Sequence, residues 1–234
     1  VVRFQFAASL LFLVALSACA PTLVDTSKPY SVAEPPTQGT AIQSLVQPWL
    51  TSGDRSGFTP LTRGREALDA RLELIDAAEV SVDVQVFQIE PDVSVNVIAA
   101  RLEQAADRGV RVRVLSDDVF TSVPHRDLLR LNTHPNIEVR IFNPLARGVP
   151  VLLGWLAALP RSNRRMHNKA FIADNAIAIV GGRNLADEYF EANPTSEFAD
   201  FEVLAMGPAA TEVSKSFDAI WNDELAWPVP ALRR

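Results

Sequence analysis

Strands that can be joined only through helices constrain this chain more than any other feature. Val80-Ser-Val-Asp-Val-Gln-Val86 puts valine at every second position, the alternation of a strand. Before it, residues 65–79 space Leu68, Leu72, Ile75 and Ala78 three and four apart, which gives a helix one apolar face. After it, residues 94–108 repeat helical spacing through Val95, Ile98, Ala99, Leu102 and Ala106, and Gly109 stands where a glycine ends a helix. Val110-Arg-Val-Arg-Val-Leu115 reads as a second strand, residues 127–131 as a short helix, and Ile137–Phe142 as a third strand before Asn143-Pro144. Strands separated in this way need crossover connections. The expected fold class is therefore α/β, a mainly parallel or mixed sheet flanked by helices on both faces.

Composition supports a single domain of this kind. The 234 residues, 48% hydrophobic and 21% charged, suffice for a core without disulfide or metal support. One cysteine excludes a disulfide framework, and the scattered histidines form no ligand cluster, so no cofactor or metal is expected. A formal charge of −6 argues against indiscriminate nucleic-acid binding, and no nucleic-acid partner is expected, although a local basic patch can still hold one phosphate.

The N-terminus carries an address. Residues 1–20 combine an early Arg3, an apolar run from Leu10 to Leu16 and small residues at Ser17, Ala18 and Ala20, the make-up of a cleaved secretory signal. The run is shorter than the roughly 20 residues a spanning helix needs. Leu16-Ser17-Ala18-Cys19 resembles the bacterial lipobox, which implies lipidation at Cys19 and a membrane-anchored lipoprotein of the cell envelope. Plain cleavage at Ala18-x-Ala20, giving a secreted or periplasmic protein, is the alternative, and an uncleaved anchor is a third. The expected organisation is a signal peptide over residues 1–18, a proline-rich tether over 19–44, a domain over 45–228 and a tail over 229–234. Residues 149–159, apolar nearly all round, read either as a core helix or as a greasy lip that receives acyl chains.

The chemistry-bearing stretch is residues 166–190, MHNKAFIADNAIAIVGGRNLADEYF. His167, Lys169 and Asp174 stand as His-x-Lys-x4-Asp. On a strand His167 and Lys169 point to the same side, presenting an imidazole and an ammonium together. Ala176-Ile-Ala-Ile-Val180 reads as a second strand, and Gly181-Gly182 permits a sharp turn that brings Asn184 back toward the strand ends.

This segment resembles the catalytic motif of the phospholipase D superfamily. Its fuller wording resembles the N-terminal half of the bacterial cardiolipin synthase C-type branch. The resemblance covers residues of about 60–228 and includes Asn163-Arg-Arg165 and Trp221-Asn-Asp-Glu-Leu225. It implies one half of a two-fold pseudo-symmetric sandwich and a phosphodiester-transfer site without metal. Neutral His167 would attack phosphorus and form a phospho-histidine, while Lys169 and Asn184 hold the phosphoryl oxygens. Arg164 and Arg165 would form an outer basic rim, with Gly181, Gly182 and Arg183 also assigned to substrate binding. The imidazole needs a carboxylate to fix its tautomer. Asp200 and Glu202 lie on one expected strand face, and Glu202 is taken as that orienter. Asp174 is counted with the catalytic motif, its expected role being to pair with nearby cations and fix the strand-to-strand turn.

Other charged groups have plainer readings. His125 and His134 lack such company. Asp117-Asp118 reads as a polar strand terminus rather than a metal pair, and Asp187 and Glu188 as acids at a helix start. Superfamily sites contain two His-x-Lys-x4-Asp motifs, and this sequence has one. A homodimer or a second phospholipase D-like half is therefore the expected protein partner, beside a phosphatidylglycerol-like phospholipid and a membrane surface. The alternatives are a catalytically incomplete lipid-binding half and a single-motif nuclease working as a homodimer.

Overall fold

The computed structural model describes residues 26–49, 55–145 and 163–232. Cys19, the signal segment and the apolar residues 149–159 lie outside the described residues.

Eight strands form one sheet in the order β1-β7-β6-β5-β2-β3-β4-β8. They are β1 Gly57–Leu61, β2 Ser81–Ile89, β3 Arg111–Thr121, β4 Ile137–Phe142, β5 Ala170–Ala173, β6 Ile177–Gly181, β7 Glu202–Met206 and β8 Ala226–Pro228. The helices are α1 Ala41–Val46, α2 Gly64–Ala77, α3 Val93–Asp107, α4 His125–Leu131 and α5 Pro208–Trp221. The sheet is mixed. Only β2, β3 and β4, joined through α3 and α4, run parallel. Elsewhere tight connections or returning strands make the pairs antiparallel, so the parallel part is confined to the helix-separated strands that the sequence marks.

Both faces are covered. Valines 82, 84 and 86 of β2 pack with Ile75 of α2 and Ile98 of α3 in the larger core, whereas Ile172 of β5 and Ala178 of β6 pack under Phe217 and Trp221 of α5 on the other face. A strand buried on both sides cannot be polar outward. The outward Asp83 of β2 is instead paired with Arg113 of β3 at 2.7 Å, and Arg113 is paired in turn with Asp218 of α5 at 2.8 Å. Gly109 ends α3 as expected, at φ +96, with its N–H on the carbonyl of Ala106 and the next N–H on that of Ala105.

The expected tether is only partly one. From Lys28 to Glu34 the chain is bonded to the domain as a strap. The Ser31 carbonyl accepts from Arg113 at 3.1 Å and from Asn222 at 2.8 Å, the Ser31 hydroxyl accepts from the Trp221 indole at 2.9 Å, and the Pro29 carbonyl accepts from Arg140 at 2.8 Å. Lys28 donates to the carbonyls of Asp223 and Ala226. The strap is required because β3, β4 and α5 bring the guanidiniums of Arg113 and Arg140 onto the Trp221 ring, and their remaining N–H groups need acceptors. The expected tail also joins the domain, for Val229 and Leu232 are buried in the core that holds Leu128 of α4.

Candidate active site

The two motif ends are set apart by the β5–β6 hairpin. Asp174 and Asn175 make its two-residue turn, both at positive φ (49 and 51), which matches the twist of the flanking strands. The Asp174 carboxylate, 2% exposed, accepts from the backbone N–H groups of Glu79, Val80 and Ser81. Asp174 fixes the turn, as expected, but its partners are the amides that begin β2 and not cations, and it sits at the opposite end of β5 from His167.

His167 and Lys169 precede β5 rather than lying in its ladder, yet they meet. The ammonium of Lys169 donates to the His167 carbonyl at 2.8 Å and approaches Nδ1 at 3.5 Å. His167 is exposed, while Lys169 is 8% exposed and faces the Phe87 ring at 5.5 Å. Burial pushes the Lys169 ammonium below the ordinary lysine range, and the Asp200 carboxylate partly opposes that shift. No carboxylate among the described residues bonds either imidazole nitrogen.

Asn184, 4% exposed, stands at the end of β2. Its Oδ1 accepts from the N–H groups of Phe87 and Gln88, each at 3.2 Å, and its Nδ2 donates to the Tyr189 hydroxyl at 3.1 Å. Both amides lie where the β2–β3 register shifts between Val86 and Gln88, Phe87 alone on β2 facing Asp117, Asp118 and Val119 on the bulged β3. Asn184 therefore acts first on the backbone.

Gly181 and Gly182 serve close approach, not a left-handed turn and not a substrate contact. Neither is among the glycines with positive φ. A Cβ on Gly181 would lie 2.4 Å from the Phe201 carbonyl oxygen, and one on Gly182 would lie 2.1 Å from an Asp200 carboxylate oxygen. Arg183 turns inward. It is buried, donating to the carbonyls of Leu61, Thr62, Tyr189 and Asp200.

Glu202 is not the orienter of His167. Its carboxylate, 1% exposed, forms a two-pronged pair with Arg71 of α2 at 2.9 and 2.6 Å and lies 3.7 Å from Arg183. Asp200, the other acid of the expected strand face, is the carboxylate whose charge partly offsets the burial of Lys169. Asp200 precedes β7, so the alternation does not carry through it.

The basic rim divides. Arg164 is exposed, 3.8 Å from Glu224, whereas Arg165 is held by Asp117 at 2.9 Å and by the Asn143 carbonyl at 2.9 Å. Asp117, which lies inside β3 and not at its expected terminus, also accepts from the Met166 N–H at 3.0 Å, so β3 clamps the chain that leads into His167. Asp187 lies in a single 3-10 turn and accepts from the Ser94 N–H at 2.8 Å, capping the first turn of α3. His134 lies 3.2 Å from Asp107 at the end of α3. Among the described residues no cluster of three or more His, Cys, Asp or Glu could hold a metal. The sequence reading missed Phe87 and Tyr189, for which the break in alternation after Val86 is the signal.

Residues 72–221 match the family described as "Cardiolipin synthase, PLD-like domain", and the chain belongs to that family. It is 41% identical over 165 residues to cardiolipin synthase C of Escherichia coli K12, covering 70% of this chain and 35% of that protein. It is 29% identical over 163 residues to cardiolipin synthase A of Pseudomonas fluorescens, covering 69% and 32%. The chain thus spans about a third of the length of these relatives. The fold is shared with the solved structure of phosphatidylserine synthase from Haemophilus influenzae, at TM-score 0.56 and 15% identity over 76% of this chain and 40% of that one. It is also shared with NucT from Helicobacter pylori, at TM-score 0.54 and 16% identity over 74% and 98%.

Proposed function

We propose that this chain supplies one half of a phosphatidyl-transfer site that acts on phospholipid, with His167 as the nucleophile. The observation that carries the reading is the exposed His167 imidazole with the half-desolvated Lys169 ammonium against it. Phosphodiesters repel nucleophiles, and an ammonium in a dry setting offsets that charge far better than one in water. A ring nitrogen of His167 attacks phosphorus, the bond from phosphorus to the first alcohol oxygen breaks, and that oxygen takes a proton from an acid in a second motif. An acceptor alcohol then attacks the phospho-histidine, giving up its proton to the same group as the N–P bond breaks. Lys169 holds the non-bridging oxygens throughout. We assign the orienting carboxylate to Asp200, whose charge already acts on Lys169. The second motif comes from another copy or from a C-terminal half beyond this sequence, and acylation of Cys19 would keep the site at the envelope membrane. Among the described residues no helix is long and apolar enough to cross a membrane.

The test is to incubate the chain with phosphatidylglycerol vesicles, with and without a second-motif half, and to trap acid-labile phospho-protein. Label on the wild type that is absent from His167→Asn supports the reading. Turnover that survives His167→Asn overturns it, and tight vesicle binding with no label under any pairing favours a lipid-binding half.

A further inference from the structure

Asn184 and His167 do not touch, yet the structure links them through the end of β2, where Phe87 faces the bulge of β3. A bulge frees backbone N–H groups from the ladder, and burial makes an unpaired amide costly. Here Asn184 Oδ1 takes both, the N–H of Phe87 and that of Gln88. With its backbone fixed in this way, the Phe87 ring stands 4.6 Å from the His167 ring at 59° and 5.0 Å from Phe120 at 52°, and the Lys169 ammonium faces it at 5.5 Å. Phe87 is therefore a wall common to both motif side chains. An exposed imidazole on an open segment has free rotamers, and one aromatic face removes much of that freedom.

We propose that Asn184 and Phe87 form a positioning device for His167: Asn184 holds the backbone of Phe87 and Gln88 at the end of β2, that backbone seats the Phe87 ring, and the ring orients the imidazole beside the ammonium. The device gives Asn184 a role distinct from contact with the phosphoryl group. Its catalytic consequence rests on the reading of His167 as nucleophile, but its existence does not.

The chain has three histidines, so long-range imidazole spectra of the full chain can be assigned, with the His167 signals identified by their loss in His167→Asn. Phe87→Leu and Asn184→Ala are each expected to move the His167 ring signals toward free-histidine positions and to leave the His134 signals in place. The double variant is expected to go no further than either single one, because both break the same link. Phe87→Tyr, which keeps the ring, restores the wild-type position. Unmoved His167 signals in Phe87→Leu overturn the proposal, as does a shift in Phe87→Leu that Asn184→Ala fails to reproduce. If lost His134 signals show that Asn184→Ala does not fold, hydrogen exchange in Asn184→Asp decides. A carboxylate there keeps the Phe87 and Gln88 amides protected, and fast exchange at both overturns the clamp. Turnover that survives His167→Asn removes the nucleophile reading while leaving these spectra unchanged, so the two failures are separable.

Discussion

A methyl group on Gly181 would meet backbone, the Phe201 carbonyl oxygen at 2.4 Å and the Glu202 Cα at 2.7 Å, whereas the nearest atoms to one on Gly182 are those of the Asp200 carboxylate, from 2.1 Å. Backbone cannot yield locally, but a carboxylate can swing away. Gly181→Ala is therefore expected to open the β6–β7 end and to destabilise by about 1–3 kcal/mol or more, read as a lower urea midpoint. Gly182→Ala is expected to keep its midpoint while displacing Asp200 from the neighbourhood of Lys169, so function is lost without the fold. Equal midpoints for the two variants would contradict this. Lys169 adds a pH signature. Its folded-state pKa lies below the ordinary 10.5, so between the two values the unfolded chain holds a proton that the folded chain has released. Stability then rises with pH across that window, and it rises less in Lys169→Met. Urea midpoints of both proteins measured up to about pH 10.5 give the comparison, and parallel curves would remove the claim of a desolvated ammonium.

At the scale of elements, the strap is a structural member. Replacing residues 29–33 with glycine of equal length removes the Ser31 hydroxyl that accepts from the Trp221 indole and frees the backbone that presents the Pro29 carbonyl to Arg140, each hydrogen bond being worth roughly 1 kcal/mol. Several such losses are expected to lower the melting temperature by roughly 10 °C. An unchanged temperature would show the segment to be a free tether after all. The strap also marks where reading from sequence stops. Helices α2 and α3 and strands β2, β3 and β4 were legible because their periodicity is local and their buried faces repeat. The strap, the edge strands β1 and β8 and the bulge facing Phe87 owe their form to partners far along the chain, and residues 28–34 carry no period at all. The site follows the same division. His167 and Lys169 were legible from a spacing of two residues, but Asp200 and Glu202 were not separable, since only the fold shows Arg71 of α2 claiming Glu202.

At the scale of the molecule, the chemistry needs more than this chain displays. In the proposed reaction, attack by His167 leaves an alcohol oxygen that must be protonated, and only one of the three histidines stands in a His-x-Lys-x4-Asp motif. A neutral alcohol leaves a phosphodiester far more readily than an alkoxide does, so the missing acid is required for turnover rather than an aid to it. If a second copy supplies it, each site draws on two chains and the rate per chain must follow the dimer fraction. Turnover measured across a dilution series should then fall with the dimer population that sedimentation reports over the same range. A second-motif half added in excess should restore the diluted chain to full rate, because its acid no longer depends on self-association. A constant rate per chain at dilutions where the protein sediments as a monomer would mean that His167 finds its acid within one chain, and the shared site would have to be abandoned.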